Sequence, residues 1–462
     1  MDVTARYYKR FDKVRLRALV IVSLAILLFP LSVSATLVAI PSIASELSAS
    51  ALYASWIPSI FVLSSLVFQL PGGRLSDLVG LKRAFVWSNI LFAVGGVFGA
   101  ISPTIELLLL SRVVQGAAGA ILASTGMAII SRVYESKGRG VAIGWMTSAV
   151  YLGMTSGPLV GGLLVDLFGW RSVFLITAPF ALLVFVATNR FIKGEWRSAD
   201  IHSVDWLGAA IFALAISGLF FGSSHLMELN GLLVVSLSIM LLWIFVRRCK
   251  RVSNPLVRID LLIQNTPFIR SVTAALFMYA SGYGIILVLS LYLQYNRGLS
   301  PTEAGQLMML QALVMTVCAP ISGRLSDRLG RRLLATLGCI AISIGLAILT
   351  FMDTQMPLTT IAVAIFFVGL GHGIFSTPNN SSALGAIPPQ RVGIGSALIS
   401  LARQSGQLLG TAVVSLLMAI YFGGRAITSA DAMPLESVAH YALIVSLGMA
   451  LTAAWFSWRR DS

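Results

Sequence analysis

About fourteen apolar stretches follow one another along the chain, each near the ~20 residues a helix needs to cross hydrocarbon, with short polar connections between them. They run near 17–38, 54–73, 84–102, 105–131, 141–164, 172–191, 205–223, 229–246, 268–293, 304–323, 333–352, 358–379, 394–420 and 438–457. Fourteen spans of ~21 residues use ~294 of the 462 positions and leave roughly 11 for each connection or tail. No connection has room for a soluble domain, which excludes an attached nucleotide-driven motor or a large ectodomain. The first apolar run is long, lacks a small-residue cleavage site and leads straight into further spans, so no cleavable signal is expected.

Composition agrees: 57% of residues are hydrophobic, 11% carry charge, and mean hydropathy is +0.88. Soluble globular chains carry about 25% charged residues. Surface of this kind has to face lipid. The net charge of +15 would suggest nucleic acid were it not for its distribution. With the N-terminus placed in the cytoplasm, 28 of the 33 Lys and Arg fall on that side; Arg171, Arg297 and Arg425 fall outside, and Arg112 and Arg403 lie within spans. That asymmetry is the positive-inside rule. It predicts a multi-pass protein of the plasma (inner) membrane with both termini cytoplasmic, the lipid bilayer as partner and no nucleic-acid partner. Cys249, Cys318 and Cys339 have no paired or metal-ligand spacing and read as small apolar filler.

The chain repeats itself. Gly73-Arg74-Leu75-Ser76-Asp77 recurs as Gly323-Arg324-Leu325-Ser326-Asp327, each followed by a glycine (Gly80, Gly330) and a basic pair, Lys82-Arg83 and Arg331-Arg332. The 250-residue offset maps the connection after span two onto the connection after span ten, eight spans apart. Two six-helix halves would give six, so spans seven and eight read as an insertion. The expected organisation is a basic tail 1–16, a six-helix bundle 17–191, two inserted helices with linkers 192–267, a second six-helix bundle 268–458 and a tail 459–462. Internal repeats of this kind characterise secondary transporters, with substrate bound between the halves near mid-membrane.

The repeated motif is expected to form a tight turn in which Asp77 or Asp327 caps a neighbouring helix N-terminus and meets basic residues such as Arg83 or Arg331. A carboxylate that grips the opposite half in one state and releases it in the other would switch access. In span four, Arg112, Gln115, Gly116 and Gly119 share one helix face, and a buried membrane arginine faces the protein interior or an aqueous cavity. The alternative is that Arg112 snorkels to the near interface. In span five, Gly153, Gly157 and Gly161 make a small-residue stripe for close helix approach, and Pro158 bends the helix. Span twelve offers His372, Ser376, Asn379 and Asn380 on one face; span thirteen offers Ser396, Ser400, Arg403 and Gln407. These are candidates for a cavity or a proton path, with interhelical hydrogen bonding as the plainer role.

On these motifs the chain resembles the major facilitator superfamily from about residue 30 to 455, and its fourteen spans resemble the drug/proton antiporter branch. The resemblance implies an all-α fold of two six-helix bundles plus two central helices. It assigns proton coupling to Arg112 and its neighbour Gln115. The set Gly153, Gly157, Pro158, Gly161, Gly162 resembles an element associated with exporters. The family's common Asp in span one is replaced by Ser32, and none of the 18 acidic residues lies at the centre of a span. The expected activity is proton-driven export of lipophilic or amphipathic small molecules, powered by the proton gradient without a cofactor and performed by a monomer. The alternative is a permease for anionic or neutral metabolites. An enzyme is not expected, because no His, Asp and Glu cluster faces a cavity.

Overall fold

In the computed structural model, residues 3–134, 139–197, 204–226, 228–252, 255–257, 265–353, 355–387, 392–423, 425–428 and 431–460 are described, with side chains from Val14 onward except at 139–141, 143, 144, 147, 327, 392–394 and 432. Fourteen helices among them are long and apolar enough to span a bilayer. They are α1 (Val3–Glu46), α2 (Ala51–Val79), α3 (Leu81–Ala100), α4 (Ile105–Val133), α5 (Arg139–Phe168), α6 (Arg171–Phe191, interrupted at Ile176), α7 (Trp206–Ser223), α8 (Leu229–Arg251), α9 (Thr266–Leu291), α10 (Pro301–Leu329), α11 (Arg331–Thr350), α12 (Leu358–Gly385), α13 (Val392–Phe422) and α14 (Ala432–Trp458). A five-residue π turn, Tyr292–Asn296, extends α9.

Local sequence sets several helix starts. The Ser50 hydroxyl accepts the Tyr53 N–H, Asn265 accepts the Phe268 N–H, and Ser300 with Glu303 forms a capping box before Pro301. Proline inside α1, α2, α5, α10 and α12 is tolerated because neighbouring helices and side chains take up the freed backbone groups.

Many helices run past the expected spans, and one difference changes the reading of the repeated motif. Gly73–Asp77 and Gly323–Asp327 are the last turns of α2 and α10, not loops. The turn itself is one residue, Gly80 or Gly330, with φ of 115° and 91°. Only glycine adopts that conformation without strain, so α3 and α11 restart immediately.

The helices α1–α6 pack on one another, as do α9–α14; α1 lies along α5, α2 along α4, and α9 along α13 and α14. Helices α7 and α8 pair with each other, and α7 touches α2 and α13. Phe212 meets Phe245 at 5.1 Å, and Phe221 meets Trp56 of α2 at 5.1 Å. Arg248 binds Asp205 at 2.7 Å, closing the base of the pair. Burial works against the Asp205 charge, but the Arg248 guanidinium and the Gly208 N–H outweigh it and hold the carboxyl below the usual carboxylate range. Only 17% of the most apolar stretch of α8 is buried, against 72% for α2, so α8 sits at the periphery. Its exposed Leu229, Leu233, Ile239 and Trp243 make a lipid-facing surface.

Candidate functional site

The bundle has a basic end, which carries Lys82, Arg83 and Arg248, and an opposite, far end.

Hydrogen bonds between the two halves gather at the far end. Ser290 donates to the Leu37 carbonyl at 2.8 Å, Gln294 to that of Val38 at 3.1 Å, and Tyr295 to that of Pro41 at 3.5 Å. The Thr302 N–H donates to Asp166 at 3.1 Å, and Ser55 donates to Ser415 at 2.9 Å. Three contacts lie deeper: Thr155 with Thr316 at 3.0 Å, Tyr151 with Ser376 at 3.3 Å, and Gln69 with Ser400 at 3.0 Å. The surface between the halves is therefore hydroxyl, amide and aromatic. Among the described residues, no carboxylate contributes to its central part. The acids sit at helix ends, as Glu46 does, where Trp170 and Arg171 hold it.

Arg112 has 0% exposure and does not snorkel. Its Nη1 donates to Gln115 Oε1 at 2.7 Å and to Ser32 Oγ at 3.5 Å, and its Nε donates to the Ile57 carbonyl at 3.4 Å. The guanidinium lies over the Phe61 ring at 4.4 Å and near Phe174 at 5.5 Å. Nη2 of Arg112 and Nε2 of Gln115 find no acceptor. Tyr283, from the other half, is near enough to interact with it electrostatically. Gly116 and Gly119 give the space: a Cβ on Gly116 would press on the Phe61 carbonyl, and one on Gly119 on the Phe29 ring. Arg112 thus belongs to the interior of the first half, with Phe61 over its guanidinium and Tyr283 of the second half within electrostatic reach.

Ser32 has 2% exposure and faces Arg112. The site where related antiporters place an acid is here enclosed beside a buried cation. An aspartate at 32 would meet the unpartnered Nη2 of Arg112, and not a substrate.

The glycines of α5 divide between two partners. Gly153 and Gly161 seat against the Leu27 and Ala35 carbonyls of α1, each at 2.6 Å from the place a Cβ would occupy, and Gly157 seats against Ser34. Gly162 instead meets the Pro301 carbonyl of α10, and Gly305 of α10 meets the Pro158 carbonyl in return. One short segment therefore fixes α5 inside its own half and sets how closely the halves meet at the far end. Gly162→Leu should force α5 and α10 apart, because the obstacle is backbone. Alkylation of a Ser290→Cys reporter, in a background lacking the native cysteines, is expected to quicken at least about fivefold. An unchanged rate would show that this contact does not hold the far end shut.

The expected switch residues divide less evenly. Asp77 is half-buried, with Arg74 and Arg132 of its own half as electrostatic neighbours. It does not cap α3. Glu195 does: its carboxylate accepts the Lys82 N–H at 2.9 Å, the Arg83 N–H at 3.2 Å and the Trp196 N–H at 3.2 Å. The Arg83 guanidinium stands 3.8 Å away. A Cβ on Gly80 would fall 2.5 Å from the Glu195 carboxyl carbon, a second reason for glycine there. In the second half, Gly330 faces open space, and Arg331 donates to the Ser381 carbonyl at 3.1 Å. The Asp327 side chain lies outside the described residues.

Other candidates separate too. Asn379 is buried, donating to the Ser271 carbonyl at 3.2 Å and accepting from Arg460, so it ties α12 to α9 and the end of α14. Asn380 and Gln407 are half-buried. Arg403 donates to Ser400 at 3.2 Å, one step from the Gln69 contact. His372 is enclosed against Gly282, with Nδ1 3.2 Å from the Val368 carbonyl. Cys249 and Cys339 are buried, Cys318 is half-buried, and all three are free thiols.

The Major Facilitator Superfamily model matches residues 22–411 and again 271–462. The chain belongs to that superfamily. It is 29% identical to a riboflavin transporter of Clostridioides difficile over 398 residues, covering 86% of this chain and 87% of that one. It is 27% identical to the multidrug resistance protein Stp of Mycobacterium tuberculosis over 418 residues, covering 89% and 77%. It is 28% identical to the drug efflux pump JefA of the same species over 409 residues, covering 86% and 79%. Among solved structures, a bacterial homologue of the lysosomal transporter Spinster, inward-facing and unoccupied, superposes with a TM-score of 0.72 at 18% identity, covering 97% of both chains. A D-xylose–proton symporter gives 0.67 at 17% identity, covering 96% and 97%. The fold is the superfamily's, with fourteen membrane helices, and the protein is a multi-pass membrane transporter and not an enzyme.

Proposed function

We propose that the protein is a proton-driven exporter of lipophilic or amphipathic small molecules, working by alternating access as a monomer in a plasma (inner) membrane with both termini cytoplasmic. The proton gradient supplies the energy, and no cofactor is required. The observation that carries the reading is the α5 segment from Gly153 to Gly162, which packs against α1 within its half and against α10 across the halves. The relatives named as multidrug resistance and efflux proteins support export. In this reading Asp77 and Asp327, with their glycines and Arg83 and Arg331, bias the access equilibrium, while Arg112 and Gln115 couple it to protons.

A second reading is favoured by the riboflavin transporter. The central surface between the halves, rich in amide, hydroxyl and aromatic groups and without a carboxylate among the described residues, suits a neutral heteroaromatic compound as well as a drug. One measurement separates the two. Inverted vesicles holding the protein should accumulate a neutral or anionic lipophilic dye when the lumen is acidified, and lose it when nigericin collapses the gradient. Riboflavin movement indifferent to the gradient, without dye accumulation, would replace the exporter reading with the permease.

A further inference from the structure

A proton carrier in a membrane protein has to titrate near neutral pH, stand close to a contact between the moving parts and exchange with water in at least one state. The central span residues offer few such groups. Arginine stays charged and tyrosine stays neutral over that range. The described carboxylates sit at helix ends. His225 and His440 lie near membrane ends, and His440 bonds the Thr350 carbonyl at 2.8 Å. His372 remains.

Its surroundings are built in a specific way. The ring lies between α9 and α12, so close to Gly282 that a Cβ there would overlap it. Nδ1 is 3.2 Å from the Val368 carbonyl, and the Met278 carbonyl of α9 is a second backbone acceptor for the ring. A neutral imidazole has one N–H and turns a lone pair toward the other carbonyl; an imidazolium donates to both. One acceptor comes from α12 and the other from α9, so the number of bonds the ring can donate is tied to the spacing of those two helices.

Tyr279 of α9 faces the His372 ring at 5.9 Å between centroids, Tyr151 of α5 interacts in turn with Tyr279 and with Arg403 of α13, and Cys318 of α10 stands beside the adjacent Gly373. None is an acid. One turn along α12, Ser376 shares a hydrogen bond with Tyr151 across the halves at 3.3 Å, and Tyr151 also interacts with Tyr279 and Arg403. His372 thus stands one turn of α12 from a contact that joins the two halves.

We infer that His372 takes up and releases the coupled proton, and that its charge biases the Tyr151–Ser376 contact and with it the access equilibrium. This rests on the proton-coupled reading above. The step is a plain proton transfer: a water-derived proton adds to the free ring nitrogen, giving the imidazolium, and leaves to water when the opposite face opens.

The test uses the proton itself as ligand. Spin labels at Ser45→Cys and Met433→Cys, far-end positions in opposite halves, report opening of that end in a background without the native cysteines. In liposomes with equal pH on both sides, the ratio of far-end-closed to far-end-open populations should change about tenfold or more between pH 5 and pH 9. It should follow a one-proton curve, and His372→Gln should flatten it. A ratio in the unsubstituted chain that ignores pH would overturn the proton-coupled reading itself. A pH response retained in His372→Gln would overturn only the assignment to His372. If His372→Gln fails to fold, 15N-histidine spectra of the His202→Gln, His225→Gln, His440→Gln protein decide: the remaining ring should change from a neutral tautomer to the cation along the distance curve. A ring in one form throughout would sink the inference.

Discussion

Arg112→Met combined with Gln115→Leu is expected to raise the melting temperature of the protein while lowering transport at least about a hundredfold, roughly 2.7 kcal/mol. The two effects have opposite signs for one reason. Arg112 is fully buried, makes one short bond to Gln115 and two long ones, and keeps an unpartnered Nη2, with no acid beside it. A charge at that depth costs about 2.5–3.5 kcal/mol even by lenient insertion scales. Replacing both partners of a buried polar pair by apolar groups of similar shape is neutral or stabilising, whereas removing one leaves the other orphaned. The double variant avoids that orphan. A purely structural arginine would give lower stability and near-normal transport in whatever folds, so thermal unfolding and vesicle transport measured together separate the roles. Retention of transport above a tenth of the unsubstituted level would remove Arg112 from the coupling machinery.

Much of the fold is legible in the sequence, though unevenly. Fourteen spans follow from apolar runs long enough to cross a bilayer, because lipid admits few other structures. The repeat of Gly73–Asp77 at Gly323–Asp327 located equivalent turns in the two halves, yet misplaced the turn by a few residues. Glycine inside a membrane helix is no terminator, and the chain turns only at Gly80 and Gly330, where φ is positive. What sequence reasoning missed are contacts between distant positions. Glu195 caps α3 from 113 residues away, and the only local hint was an acid standing alone in the basic stretch 190–197. Asn379 shares the polar face of His372, but its partner Arg460 is 81 residues on, so the face does not act as one unit. Ser32 and Arg112 are 80 residues apart. Nothing along the chain told that the serine looks at the arginine and away from the surface between the halves. Helical periodicity assigns residues to a face and leaves open which neighbour the face meets.

That last contact reshapes what substrate charge should do. The central surface between the halves holds Arg403, hydroxyls and amides, with Arg112 fully buried in the first half and no described carboxylate. A dicationic dye there would shed water without gaining a counter-charge. A penalty of about 4 kcal/mol corresponds to roughly a thousandfold in affinity. Neutral and anionic dyes of matched size should therefore be exported, and dicationic ones should not. By position alone, restoring the span-one acid as Ser32→Asp would extend the range to monovalent cations; its geometry points the other way. The new carboxylate would pair with Arg112 Nη2, a charged hydrogen bond of about 1.5–3 kcal/mol, raising stability and leaving no charge for a substrate. Thr316→Asp is the informative counterpart. Thr316 is half-buried on α10 and meets Thr155 across the halves at 3.0 Å, so an acid there lies on the shared surface. Efflux of neutral, anionic, monocationic and dicationic dyes by cells making each form gives the answer. Monocation export should appear in Thr316→Asp and stay absent in Ser32→Asp. Vigorous dication export by the unsubstituted protein would mean that an end-of-helix acid, Glu46 or Glu303, reaches the bound compound in another state. Monocation export in Ser32→Asp alone would mean that Arg112 swings clear of Ser32 during the cycle.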